Sequence, residues 1–356
     1  MAPDHSPAFA DVALTYANDK HTDGAGAQLQ RIYGIYALSR FLKLPYVHSP
    51  ITKIDYQGLA ALECNSSSTE LESRYNRIFE IASDILLPEQ AVVHDMTDAD
   101  LDVIKRHLVV AKITKRFALI RILYPYPITD RYPEIYRHVA AVSPFQRTRS
   151  EVFRLALHVR RGEQVVLDSD RMLPNAYYVS CALQCAESLK TLDIPFVCEL
   201  YTEVFSKAFI VTPQHHGIGG RIPGNKAVDP RVNCVEEFEI IPNLAKFING
   251  DPIETLRRMA TADALVLSRS SYSYVAALLA TNCIVVYHPF WHSPLKEWLI
   301  SDGSGVVSDA DLMARLECWK HDRSTPNVPN RHKLGPNETV APGGVGRHED
   351  GGGLLP

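Results

Sequence analysis

Phe153-Arg154-Leu155-Ala156-Leu157-His158-Val159-Arg160-Arg161-Gly162-Glu163 is the stretch on which the fold turns. Its first seven residues form a short, largely apolar run of the kind that makes a buried strand, and Arg161-Gly162 bounds it. An imidazole, two guanidinium groups, a glycine and a carboxylate gather at that strand's carboxyl end, where open α/β sheets bind their ligands. Alternation along the strand puts His158 and Arg160 on one side and Val159 and Arg161 on the other. An arginine in that position can hold a diphosphate bidentately and stabilise charge that develops on it. The competing reading is a solvated strand end carrying surface arginines.

Downstream, the spacing predicts a helix over 177–189, a strand at 196–201, further strands at 237–241, 264–268 and 283–287, and helices at 252–261, 271–280 and 309–319. Strand and helix alternate throughout, which favours a doubly wound sheet. Upstream, Val12 to Tyr16 reads as a strand, Gly24-Ala25-Gly26 as a tight turn, Gln28 to Leu42 as an amphipathic helix and Leu44 to Val47 as a second strand. That order predicts a parallel sheet. Between residues 50 and 150 the pattern is mainly helical, clearest at 70–85, 98–113 and 131–143. Residues 213–225, rich in glycine and proline, read as an exposed mobile loop. The tail from 322 to 356, with few large apolar side chains, reads as disordered.

A chain of 356 residues exceeds one usual core, so two α/β domains are expected, residues 1–150 and 151–321. The formal charge of −4 gives no global basic field, which argues against a nucleic-acid partner. No run approaches the roughly 18 apolar residues of a membrane span, and the first residues lack a signal-peptide pattern. A cytoplasmic protein without a transmembrane segment is the expectation. Seven scattered cysteines lack the paired spacing of a zinc site and read as reduced core thiols.

Two further segments can bear chemistry. Asp263 through Ser270-Ser271-Tyr272-Ser273 has the form strand, hydroxyl-rich turn, helix. Its N–H groups and hydroxyls suit phosphate oxygens, while Ser270 or Ser271 can equally serve as a simple N-cap. Gly24-Ala25-Gly26-Ala27-Gln28 lies between a strand and a helix and can cradle a phosphate, but it lacks the third glycine of a dinucleotide fingerprint and the Lys-Ser/Thr of a P-loop. Gln28 and Arg31 can reach a ligand from there; a tight turn is the plain alternative. Trp291 and Trp298, near His288 and His292, suit stacking on a sugar or an aromatic core junction. Cys181 and Cys185 read as core packing, and the adjacent His215 and His216 do not form a helical metal pair.

Taken together and in order, these three segments resemble the conserved blocks of the GT-B fucosyltransferase superfamily, which includes the α1,2-, α1,6- and protein O-fucosyltransferases. The family's Gly-x-Gly-Asn-Gln-type turn corresponds to Gly24 to Gln28, with Ala27 in place of Asn. Its His-x-Arg-x-Gly-Asp-type strand end corresponds to His158 to Glu163, with Glu163 in place of Asp. Its Ser-Ser-Phe-Ser turn corresponds to Ser270 to Ser273.

The resemblance implies two Rossmann-like α/β domains facing a central cleft, 1–150 on the acceptor side and 151–321 binding a nucleotide sugar. It also implies inverting, metal-independent transfer of fucose from GDP-fucose to a glycan or other hydroxyl acceptor, with no cofactor and no metal. Arg160 would bind the β-phosphate and steady the leaving group, and His158 would contact the nucleotide. Ser270, Ser271 and Tyr272 would bind phosphate, Glu254 and Asp263 would supply acidic donor contacts, and Glu163 would orient or deprotonate the acceptor. Gly24, Gly26, Gln28 and Arg31 would face donor or acceptor. Another nucleotide sugar, a non-catalytic nucleotide- or glycan-binding module, and a nucleotide-binding oxidoreductase using the Gly24 turn are the alternatives.

Overall fold

The structure, a computed structural model, describes residues 11–20, 23–55, 69–148, 150–162, 164–167, 171–205, 208–212, 224–229 and 234–324. Most of the 213–225 loop and residues 325–356 of the tail lie outside the described residues. The described residues up to Glu317 make one compact unit.

The first sheet is built from β1 (Val12–Tyr16), β2 (Val92–Asp98) and β3 (Ala118–Tyr124), in the order β1-β3-β2 and all parallel. β2 and β3 fall in the stretch read as mainly helical, between its clearest helices, where no strand is expected. β2 is a largely exposed edge strand of polar composition, so it shows no apolar run to read. Leu44 to Val47 does lie beside β1, with Leu14 N donating to the Pro45 carbonyl at 3.0 Å and Val47 N to the Leu14 carbonyl at 2.9 Å. Its pairing amounts to one parallel bridge, Leu14 with Tyr46, instead of the expected strand.

Helix α1 (Ala25–Leu42) follows β1. The sequence reads as an amphipathic helix over 28–42, yet α1 is buried on nearly every side, which is the state of a helix packed between layers. Helices α2 (Thr69–Ile78), α3 (Leu101–Thr114) and the single turn α4 (Tyr126–Thr129) complete this half; the expected helix at 131–143 is two short 3₁₀ segments.

The second sheet holds β4 (Phe153–Val159), β5 (Phe196–Thr202), β8 (Leu244–Ile248), β9 (Ala264–Val266), β10 (Ile284–Tyr287) and β11 (Leu299–Ile300). Its order is β11-β10-β9-β4-β5-β8, every pairing parallel. A small antiparallel pair, β6 (Phe209–Val211) and β7 (Lys226–Val228), stands apart. The connecting helices are α5 (Gln164–Leu167), α6 (Asn175–Thr191), α7 (Pro252–Ala260) and α8 (Ser271–Leu279), with α9 (Asp309–Ser324) last. The strand expected at 237–241 is a 3₁₀ helix, Val235–Ile240, and the strand that pairs with β5 comes just after it. Glu-Phe-Glu-Ile alternates like a strand but has no neighbour to bond.

The sequence boundary at 150/151 divides the two sheets but not the core. One apolar cluster runs from Leu14, Leu29 and Ile32 of the first half to Leu265, Val275 and Leu278 of the second. The result is a mixed α/β protein with two parallel sheets and a cleft between them.

Candidate active site

The chain leaves β4 toward β5 and β8, then returns to build β9, β10 and β11 on β4's other side. The carboxyl ends of β4 and β9 therefore flank a topological switch point, the place where such sheets open a ligand crevice. Both sequence segments of the second half sit there. His158 Nδ1 and Ser268 Oγ share a hydrogen bond of 2.6 Å, and Arg160 Nη1 donates to Ser270 Oγ at 2.5 Å. Ser270 is the N-cap of α8, accepting from Tyr272 N–H at 3.3 Å. The capping role and the cleft-facing role thus belong to one hydroxyl.

Burial, reinforced by the charges of Arg160 and Arg161, pushes the His158 imidazole down to about 3. It is neutral at neutral pH and contributes position, whereas the adjacent guanidinium contributes charge. Arg161 also borders the cleft, but its guanidinium is taken up by other partners. It is 7% exposed and donates to the carbonyls of Arg160 at 2.7 Å and Leu173 at 3.0 Å, and to Asn175 Oδ1. These bonds pin the turn after β4 to the start of α6; Gly162, at φ 49°, makes that turn.

The glycine turn of the first half meets the same place. A Cβ on Gly26 would lie 2.6 Å from both the N and the Cα of Tyr272, so only glycine lets the first turn of α1 touch the first turn of α8. Two helix N-termini and Arg160 then face one cleft of about 580 Å³, lined also by Gly24, Ala27, Arg31, Ser271 and Tyr272. That volume suits a small organic ligand, and the concentration of positive ends suits an anionic one.

Three expected contacts are not brought to the cleft. Gln28 is fully buried, its Nε2 bonding the carbonyls of Asp23 at 2.8 Å and Lys53 at 2.5 Å, so it ties the 50s segment to α1. Glu254 lies on the exposed face of α7, its carboxylate taken by Arg257 Nε at 2.6 Å and Nη2 at 2.5 Å. Asp263 is buried at the start of β9, accepting from Arg154 N–H at 2.7 Å and pairing with Arg147. Each of these polar side chains is committed to a structural partner. Glu163 lies outside the described residues. Cys181 and Cys185 are core thiols, as expected; burial pushes Cys181 up to about 12 and raises Cys185 as well.

Arg31 and Trp291, both offered by the sequence as ligand contacts, do line the cleft, and Tyr201 and Phe247 join them from strands that no local pattern linked to it. Arg31, 3% exposed, donates to Asp23 Oδ2 at 2.7 Å and lies 4.9 Å from the Tyr124 ring centre. Tyr201 and Phe247, on neighbouring strands, stack at 5.1 Å and 15° to form an aromatic wall, with the Arg258 guanidinium 4.3 Å from the Phe247 ring. Behind it, Glu199 accepts from Arg154 Nη2 at 2.7 Å, Arg258 Nη2 at 2.6 Å and the Tyr201 hydroxyl at 2.5 Å. Burial alone would raise that carboxyl, but these hydrogen bonds and charges hold it below its ordinary value. Trp291, 48% exposed, has the Arg171 guanidinium 4.9 Å from its ring, and His292 beside it also lines the cleft. Among the described residues, no three or more His, Cys, Asp and Glu side chains converge as metal ligands. No helix among them is long and apolar enough to cross a membrane.

The fold and site therefore define a parallel α/β protein with an anion-suited cleft at the switch point of its larger sheet. No family model matches the chain, and no curated protein does. Among solved structures it is similar to E. coli heptosyltransferase WaaC with ADP-2-deoxy-2-fluoro heptose, at 11% identity and a TM-score of 0.34, over 88% of this chain and 99% of that one. It is also similar to POFUT1 in complex with GDP-fucose, at 10% identity and a TM-score of 0.39, over 77% of this chain and 95% of that one. A third is E. coli ADP-heptose lps heptosyltransferase II, at 9% identity and a TM-score of 0.33, over 88% of this chain and 100% of that one.

Proposed function

We propose that the chain is an inverting, metal-independent glycosyltransferase that moves fucose from GDP-fucose to a glycan or other hydroxyl acceptor. The observation that carries this reading is the Arg160–Ser270 pair at the switch point, set between the N-termini of α1 and α8. A fixed guanidinium beside two helix N-termini is suited to a diphosphate whose charge grows as it leaves.

In this reading Arg160 binds the β-phosphate and stabilises the departing GDP. Ser270, Ser271 and the Tyr272 N–H hold phosphate oxygens. His158, neutral and 5.5 Å from the Tyr272 ring, shapes the nucleotide side of the cleft. The Tyr201–Phe247 wall offers a face for a base or sugar ring. Gly24, Gly26 and Arg31 form the opposite wall, toward sugar and acceptor. Glu163 remains the sequence's candidate for orienting or deprotonating the acceptor hydroxyl.

The donor is tested by thermal shift with GDP, UDP, CMP and NAD. GDP alone should raise Tm clearly. A response to UDP or CMP instead would move the reading to another nucleotide sugar, and one to NAD would favour an oxidoreductase. Arg160→Ala should lower GDP-fucose turnover about 10²- to 10³-fold in a variant that still folds. Near-wild-type turnover in that variant would make Arg160 a structural residue.

A further inference from the structure

Transfer to a hydroxyl releases a proton, and two polar side chains at the cleft, His292 in its lining and Asp130 beside His292, are assigned nothing by the roles above. His292 is 3% exposed and lines the cleft. Its Nε2 lies 3.4 Å from Ser271 Oγ, and its Nδ1 lies 3.6 Å from Asp130 Oδ1. Ser271 follows Ser270, so consecutive hydroxyls at the start of α8 face Arg160 on one hand and His292 on the other.

The loop that carries His292 is held at several points. The Tyr287 hydroxyl donates to the His292 carbonyl, the Tyr274 hydroxyl donates to the Ser293 carbonyl at 2.6 Å, and Ser293 N–H reaches Asp130 Oδ1 at 3.4 Å. Asp130 belongs to the first half of the chain and His292 to the second, so only the closed tertiary structure makes the pair. Around the imidazole stand the rings of Tyr126 at 4.8 Å, Tyr274 at 5.3 Å and Phe290 at 5.4 Å.

Asp130 Oδ1, 3.6 Å from Nδ1, is beyond hydrogen-bond distance, but its negative charge favours the tautomer with the proton on Nδ1, which leaves the Nε2 lone pair on the side of the Ser271 hydroxyl. Base, orienting acid and a hydroxyl at the accepting nitrogen are the parts of a general-base site. A histidine that only filled space among aromatic rings would need neither polar partner.

We propose that His292 is the general base of the transfer and that Asp130 is its positioning residue. The inference rests on the glycosyl-transfer reading above. The acceptor oxygen forms its bond to the anomeric carbon as its proton passes to His292 Nε2. The bond from the anomeric carbon to the β-phosphate oxygen breaks, and its electron pair leaves with GDP beside Arg160. The imidazolium, adjacent to the Asp130 carboxylate, returns its proton to solvent.

The test uses the full chain and GDP-fucose, with water as the hydroxyl acceptor and GDP release as the readout, alongside direct titration with GDP. His292→Phe preserves the ring packing, and His292→Gln preserves a polar group. Both should bind GDP within about twofold of wild type and lose about 10²- to 10⁴-fold in kcat. Asp130→Asn keeps an oxygen for Ser293 N–H, and should lower kcat about tenfold or more with KM for GDP-fucose unchanged. A folded His292→Phe that turns over within a few-fold of wild type overturns the proposal, as does a loss of GDP affinity that parallels the loss of rate. Should the His292 variants fail to fold, an unchanged kcat in Asp130→Asn overturns it. A wild type that binds GDP but releases none from GDP-fucose would remove the donor reading itself, and this inference with it.

Discussion

At His158 and Arg160 the physical division of labour is set by one strand's alternation. Both side chains line the crevice, and burial beside two guanidiniums keeps the imidazole neutral. This has a pH signature. In the unfolded chain the imidazole takes a proton below its ordinary value of 6.5, whereas the folded group resists protonation down to about 3. Between those values the unfolded state binds the extra proton, so stability is fully present above 6.5 and is lost as the pH falls toward 3. The stability advantage of wild type over His158→Gln should therefore shrink by about 2 kcal/mol between about pH 7 and about pH 5. Urea unfolding of both proteins at each pH measures it, and a difference that does not change with pH would contradict a buried neutral imidazole. That His158 and Arg160 share the cleft was legible because alternation is local. The placements of Glu254 and Asp263 were not, because Arg257, Arg147 and Arg154 had already claimed their carboxylates.

Strands β4, β5, β9 and β10 could be read from sequence because each is a buried apolar run between turn signals. β2 escaped because an exposed edge strand needs no such run, and Glu237 to Ile241 misled because an alternating pattern without a paired neighbour has no sheet to join. Helices α1 and α8 show what pairing of elements adds. Their N-termini touch through Gly26 and the Tyr272 backbone, and this contact makes the cleft's anion-suited corner. Gly26→Ala should cost about 1–3 kcal/mol, because its methyl would meet backbone atoms that have no side-chain freedom to yield. It should also weaken GDP binding more than an equally destabilising change far from α8. Melting curves and GDP titration of the variant check both parts; full GDP affinity would mean that the two helix ends need not touch.

The apolar core is continuous across the two sheets, through α1 on one side and α8 on the other. Residues 1–317 should accordingly unfold in one transition, with far-UV circular dichroism, which reports both halves, and tryptophan fluorescence, which reports chiefly buried Trp298, tracing the same curve in urea. Separated curves would mean that the halves are energetically independent. By itself the sequence determined the α/β class, the strand ends that carry His158, Arg160 and Ser270, and the glycine turn before α1, because local period and turn chemistry suffice for each. Only the tertiary structure decided that these segments share one cleft, that Gln28, Glu254 and Asp263 leave it, and that Tyr201, Phe247, Asp130 and His292 enter it. Those outcomes depend on which groups distant in the chain meet and satisfy one another's hydrogen bonds, and no local pattern encodes the partner.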